Sequence, residues 1–435
     1  MSLISKKFRL SLSAKVYLVV DNFKTMPTLT DRLKSLGVKI GAKDLPPPRP
    51  GKTFPVEEII AGRFLDTGNS VTYLIEEDFP DSYIHGRVGL RIITKPQIIA
   101  EWAGDVRIAD QNPESLVFLD TETSGLAGGT GTFAFLVGAG RYTKDGFHLV
   151  QFFMRDPLEE PSLLLALEEF LAPCQTIVSF NGKAFDVSLL NTRYTMQGWK
   201  SPFKKFAHVD LLHLSRRLWR DRLPSRTLAN LEVQILQAIR TDEEIPGWMI
   251  PQIYFDYLRD GDARPLKRVF YHNAMDVVSL AALLNHTSSL LEDPLSHHSG
   301  EYSDLAAVAR LVEDLGHIEK ATVLYEDCLK VELPENTYND TLSRLAFLHK
   351  RNNNYPAAVP LWEQATSRNQ IYAYEELAKY YEHHTQNLDA AISWTMLALD
   401  NLDSSIFHEP DKIQWKIAFQ HRLERLQRKI SAKLT

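Results

Sequence analysis

The stretch Leu116–Leu126 reads LVFLDTETSGL. Four apolar residues lead into an acid, a threonine, a second acid and then glycine. A short continuous apolar run reads as a buried strand. Side chains alternate along a strand, so Asp120 and Glu122 leave it on one face. Two adjacent carboxylates repel unless something positive lies between them, and a divalent metal ion meets that need. The bland alternative is a pair of solvated acids at a strand end. The surrounding residues have to separate the two.

Around this stretch the pattern is mixed α/β from 115 to about 292. TFAFLVGAGRYT and FHLVQFFMRD follow it as two further strands, with turn residues between, which predicts an antiparallel meander. PSLLLALEEFLAP has helical spacing and opens on proline. TIVSF is a fourth strand, running into NGKAFDVSLLNTRYTMQG, a loop and helix. PLKRVFYHNAMDVVSLAALLNHTSSLL has apolar residues at three-to-four spacing and predicts a long helix. Three strands, a helix, a strand and then helices is the order of a ribonuclease H-like fold: a mixed sheet with flanking helices.

Three acidic sites sit on this frame. Asp120 and Glu122 end the first strand. Asp186 follows the fourth strand near a helix start. His272 and Asp276 stand four apart on the long helix, hence on one face. Acids from separated elements can hold two divalent ions roughly 4 Å apart, the arrangement that in-line phosphoryl transfer uses. An imidazole nearby, with an unperturbed pKa of about 6.5, can take a proton from an attacking water. Each piece is weak alone, but the joint occurrence in this order is much more specific.

The text FLDTETSGLAGGTGTFAFLVGAG, FNGKAFDVSLLNTRY, HVDLLHLSRRLWR and IPGWMIPQIYFDYLRDGDARPLKRVFYHNAMDVVSLAAL resembles the DnaQ-like (DEDD) 3′→5′ exonucleases, and within them the YprB-type bacterial subfamily. The likeness covers about 115–290. It implies Asp120, Glu122, Asp186 and Asp276 as ligands of two divalent ions, Mg²⁺ or Mn²⁺, with His272 as general base. One departure matters. In the histidine-type branch the base usually lies five residues before the last Asp; in the tyrosine-type branch a Tyr lies four before. Here His272 is four before Asp276 and Tyr271 is five before. On a regular helix i, i+4 is about 40° off in rotation and i, i+5 about 140° off. His272 can therefore share the face of Asp276, and Tyr271 cannot.

Other residues carry weaker signals. The spaced glycines of GLAGGTGTF suggest a nucleotide loop, but that reading needs a helix directly after them; TFAFLVGAGRY is β-like, so the loop reads as a strand connection beside the site. Thr121 and Asn181 flank the acids and are candidate nucleic-acid contacts. HLSRRLWRDRLPSR adds Arg216, Arg217 and Arg220 as candidate phosphate contacts, with Trp219 read as core. Asp210 reads as structural.

The chain has 435 residues, which predicts two to four domains. The net charge of −6 hides an asymmetry: residues 1–54 hold eleven Lys and Arg against three Asp. That span, with the break KDLPPPRPGK, reads as a basic arm that can follow phosphates and a proline-rich linker. Residues 55–110 read as a small β-rich extension and 111–292 as the exonuclease domain. From 303 to 435 the chain is nearly all helical and repeats: Ala321, Ala358 and Ala391 align, spaced 37 and 33. A period near 34 resembles tetratricopeptide repeats, expected to bind a protein partner, with a helicase among the candidates. The separate apolar patterns of the two parts predict that a cut after about 292 leaves a foldable nuclease. Two cysteines, Cys174 and Cys328, lie far apart, so neither a disulfide framework nor a cysteine-rich zinc site is expected, and a reducing cytoplasm fits. No signal peptide and no membrane span are read.

Two functions compete. One is a metal-dependent 3′→5′ exonuclease acting on a nucleic acid with a free 3′ end, DNA favoured over RNA, although no residue visibly reads a 2′-hydroxyl; DNA repair would be its setting. The other is an inert docking adaptor whose repeats bind a protein. The full set of four acids and a histidine argues for the first.

Overall fold

The computed structural model describes residues 54–434 apart from 69, 111, 126–130, 242, 299 and 405–408. The basic arm and linker expected over 1–54 lie outside the described residues except for Phe54, as does the middle of the glycine-rich loop.

Among the described residues nine strands occur: β1 Arg63–Asp66, β2 Val71–Pro80, β3 Ile84–His85, β4 Val88–Gly89, β5 Leu116–Thr123, β6 Ala134–Tyr142, β7 Gly146–Phe153, β8 Thr176–Ser179 and β9 Ala207–Asp210. Seven form one mixed sheet in the order β1-β2-β7-β6-β5-β8-β9, and β3 and β4 pair apart from it. The run from β1 across to β5 is antiparallel, and β8 and β9 join β5 in parallel. The strand read first from the sequence is thus the seam between the two halves. Its residues Leu116 to Leu119 are buried on both faces, and burial relaxes at Asp120. The meander expected for β5, β6 and β7 is present. Strands β1 and β2, from the region read as an extension, lengthen the same sheet through β7.

Helices cover both faces. Val117 and Leu119 share an apolar layer with α1, Glu160–Leu171, and α2, Asp186–Met196. Phe118 faces the other way, into the layer built with α3, Leu211–Trp219, and the long helix α4, Leu266–Glu292. Two glycines let α4 lie close to the sheet. Gly138 and Gly140 stand opposite Asp120 and Phe118 in the ladder. A methyl on Gly138 would meet Asn273 Oδ1 at 2.4 Å, and one on Gly140 would meet Val277 Cγ1 at 2.9 Å.

Beyond α4 the described residues form helices and no strands, the longer helices being α5 Tyr302–Asp314, α6 Ile318–Cys328, α7 Glu335–Arg351, α8 Tyr355–Ser367, α9 Ile371–His383, α10 Leu388–Ser404 and α11 Glu409–Leu434. Consecutive helices pack on one another, and Ala321, Ala358 and Ala391 are fully buried where they meet. The α/β and helical parts share a continuous apolar layer. Trp219 of α3 is fully buried and donates from Nε1 to Asp304 Oδ2 of α5, 3.1 Å away; Arg222 pairs with the same carboxylate at 2.9 Å. Among the described residues no helix is long and apolar enough to cross a membrane.

Candidate active site

The acids of β5 emerge where the strand leaves its buried stretch. Asp120 and Glu122 face α4, as strand alternation requires. Asn273 of α4 donates to Asp120 Oδ2 at 2.8 Å. Asn273 is fully buried and accepts in turn from Gln151 Nε2 at 2.9 Å. Asp120, Gly138 and Gln151 are in register across β5, β6 and β7, so one row of the sheet carries the acid, the gap that admits Asn273, and the residue that anchors it. Thr121 points to the opposite face and donates to Asp186 Oδ1 at the start of α2.

Asp186 is delivered by a tight loop after β8. Asn181 adopts a positive φ of 66° there. At Gly182 an added methyl would meet Ser179 Oγ at 2.3 Å, so only glycine fits. Asp210, buried at the end of β9, holds the loop: its carboxylate accepts from the backbone N–H groups of Asn181, Lys183 and Leu212 at 2.8, 3.2 and 3.1 Å. Capping α3 and clamping the loop uses its acceptor capacity, a structural role.

His272 and Asp276 lie on one face of α4, with Nε2 of His272 3.6 Å from Asp276 Oδ2 and 3.9 Å from Glu122 Oε1. Tyr271 is turned away, and its hydroxyl accepts from the backbone N–H of Thr241 at 2.9 Å. Between the π-helical turn Glu232–Leu236 and the start of the next helix, a segment lies against this face. It brings Arg240, only 9% exposed, onto Asp276, and Glu244 onto His272 Nδ1 at 2.5 Å. Arg240 also holds Glu232 at 2.6 Å and Glu244 at 3.0 Å. Neither Arg240 nor Glu244 belongs to a motif in the sequence; single charges in a loop carry no periodicity to read.

Electrostatics mark the cluster as short of positive charge. Burial, then the facing carboxylates of Asp276, Glu122 and Asp186, holds Asp120 well above the usual carboxylate range. Glu122 is pushed to about 8, chiefly by burial; His272 opposes that rise, and Asp276 and Asp186 add to it. Asp186 reaches about 6, again mainly through burial, with the Thr121 hydroxyl resisting. For His272 burial alone favours the neutral ring, but Asp276, Glu122 and Glu244 outweigh it and raise the pKa. Among the described residues no three His, Cys, Asp or Glu side chains form a ready-made metal cage. Three of the four acids are held by a partner of their own: Asp120 by Asn273, Asp186 by Thr121, Asp276 by Arg240. The donor set itself, four carboxylates with one imidazole beside them, is the hard-oxygen chemistry that suits Mg²⁺ or Mn²⁺.

A cleft of about 500 Å³ opens beside these groups, lined among others by Thr121, Glu122, Thr132, Phe185, Asp186 and Gly247. Phe185 is 56% exposed there. Of the five predicted catalytic residues Glu122 and Asp186 line it and Asp120, His272 and Asp276 do not; nor do Asn181, Arg216, Arg217 and Arg220. The helix that carries or adjoins those arginines faces the helical part instead: Arg217 pairs with Asp314 and donates to the carbonyl of Arg310, while Arg220 lies exposed beside Asp221.

Comparison with known proteins gives two results. Residues 117–288 match the ribonuclease H superfamily. Over 372 residues the chain is 32% identical to the uncharacterized protein YprB of Bacillus subtilis strain 168, covering 82% of this chain and 86% of that protein.

Proposed function

Because the chain belongs to the family of Bacillus subtilis YprB, within the ribonuclease H superfamily, we propose that its α/β part is a DnaQ-like, metal-dependent 3′→5′ exonuclease. Superfamily membership suggests a hydrolase acting on nucleic acid. The observation that carries the finer reading is the convergence of Asp120 and Glu122 from β5, Asp186 from α2 and His272 and Asp276 from α4, with Glu122 and Asp186 lining an open cleft.

The four carboxylates are the residues that would hold Mg²⁺ or Mn²⁺. Such an ion, when bound, supplies the positive charge that the attacking and leaving oxygens of a phosphodiester need. His272 directs Nε2 toward Glu122 and Asp276, where it can take the proton of an attacking water. Phe185, exposed on the cleft wall, offers an apolar face on which the base of a terminal nucleotide can stack. Thr121 orients Asp186. The helical part reads as degenerate tetratricopeptide-like repeats, whose role would be to bind a protein partner, a helicase among the candidates, and the basic arm would track phosphates.

The test is release of mononucleotides from a 3′-end-labelled single strand, DNA and RNA in parallel, with Mg²⁺ or Mn²⁺ and with chelator. Metal-dependent release supports the reading. Binding without any release supports the inert adaptor.

A further inference from the structure

His272 has two ring nitrogens, and the structure treats them differently. Nε2 looks toward Glu122 and Asp276. Nδ1 lies 2.5 Å from Glu244 Oε1, on a segment that no sequence motif singles out. An ionised carboxylate can only accept a hydrogen bond; Arg240 Nη1, a donor, lies farther from the same nitrogen at 3.3 Å, so the shorter contact decides and Nδ1 carries the proton. In the neutral ring that leaves Nε2 with its lone pair, the atom a general base needs. Glu244 is itself held: its second oxygen, Oε2, accepts from Arg240 at 3.0 Å. Arg240 is anchored by two hydrogen bonds to Glu232, at 2.7 and 2.6 Å, and by a further bond to Asp276. Glu232 is 1% exposed and also accepts from Ser279 of α4. The chain from Glu232 through Arg240 to Glu244 is therefore tied to α4 at both ends. The backbone of the segment is fastened as well, since Arg268 donates to the carbonyls of Glu243 and Glu244.

We infer that Glu244, locked by Arg240, is a positioning residue that fixes the orientation and tautomer of His272 so that Nε2 is presented to the reacting water. The inference rests on the exonuclease reading for its kinetic consequence, but the geometry of the pair stands apart from it. An isolated surface ion pair would gain little from such a relay; here a buried Glu232–Arg240 pair anchors the half-buried Glu244 against the imidazole, which sets one ring nitrogen as donor and frees the other.

The isosteric change Glu244→Gln tests this sharply. Arg240 can only donate, so the Gln oxygen turns to it and the Gln amide turns its N–H to Nδ1. The proton then moves to Nε2, the wrong tautomer for a base. The expected loss in kcat is roughly 10²- to 10⁴-fold, with KM changed less than about threefold. Adding Glu244→Gln to His272→Ala should cost less than about threefold more, because both changes remove one function. A Glu244→Gln enzyme within threefold of wild type, or a double variant whose losses multiply, overturns the inference. A second readout needs neither metal nor substrate. In the metal-free full-length chain with ¹⁵N-labelled histidine, one strongly deshielded, exchange-protected Nδ1 proton should be present in wild type and absent from both His272→Ala and Glu244→Ala. Its absence in wild type overturns the pairing. Its presence in a wild-type chain that hydrolyses nothing upholds the pairing and refutes the exonuclease reading instead.

Discussion

Gly138→Ala probes the seam on which the site is built. Gly138 faces Asp120 across the β5–β6 ladder. A methyl there would lie 2.4 Å from Asn273 Oδ1, 3.0 Å from Asn273 Cγ and 2.9 Å from Val277 Cγ2. Both neighbours are fully buried on α4, so neither can swing into solvent. Overpacking of this kind costs about 1–3 kcal/mol. Pushing Asn273 aside also breaks its bonds with Asp120 and Gln151, adding about 1–3 kcal/mol for buried polar groups left without partners. Alanine returns about 0.5–1 kcal/mol over glycine in a strand. The net expectation is a loss of about 3 kcal/mol, or roughly 4 °C in Tm for a chain of this length. Urea unfolding of the metal-free chain, followed by circular dichroism, measures it. In an Asn273→Ala background the methyl meets less resistance, so the same substitution should cost distinctly less. A Gly138→Ala chain within 1 kcal/mol of wild type, or an equal cost in both backgrounds, would refute the packing argument.

Three further outcomes are expected. Asp186→Asn should raise Tm in chelator, because it removes one of several buried carboxylates that repel each other, and should abolish hydrolysis when metal is supplied; an unchanged Tm together with full activity would count against the cluster. His272→Ala should lower single-turnover rates by roughly two to four orders of magnitude, whereas Tyr271→Phe should be nearly silent in turnover and lose only about 1 kcal/mol from the Thr241 contact; the reverse pattern would move the base to Tyr271. A chain cut after Glu292 should fold poorly, since it bares Trp219, worth about 2 kcal/mol of apolar burial alone, and strips Arg222 of Asp304; thermal melts and soluble yield report it, and a fully stable fragment would show that the shared layer contributes little.

The last of these reverses an expectation drawn from sequence, and the reason is physical. Hydrophobic periodicity identifies the buried face of each helix but not what that face meets. The apolar faces of α3 and α5 look like two separate patterns; in the structure they meet in one layer, with Trp219 at the joint. The first strand was readable because a short apolar run closed by alternating acids reads as a buried strand; its central place in the sheet was not, since that depends on which strands pair with it. The His272–Asp276 pair was readable because helix geometry alone sets its face. Gly138 and Gly140 were not, since a glycine's value there lies in the close approach of a helix more than a hundred residues away. Arg240 and Glu244 were hidden for a similar reason: their meaning depends on a loop folding back onto α4. Of the arginines in the α3 region, Arg217 pairs with Asp314 of α5, a contact the sequence does not show because a cation pairs as readily with a neighbouring acidic helix as with phosphate.

The central claim is that these four carboxylates and one histidine hydrolyse nucleic acid from its 3′ end. A 5′-labelled single strand, incubated with Mn²⁺ or Mg²⁺ and either the wild-type chain or Asp120→Asn, tests it most directly. The account predicts a ladder shortening one nucleotide at a time from the 3′ end with wild type, abolished by chelator and by Asp120→Asn. A strand left intact by the wild-type chain, or a ladder that Asp120→Asn produces equally well, would contradict it.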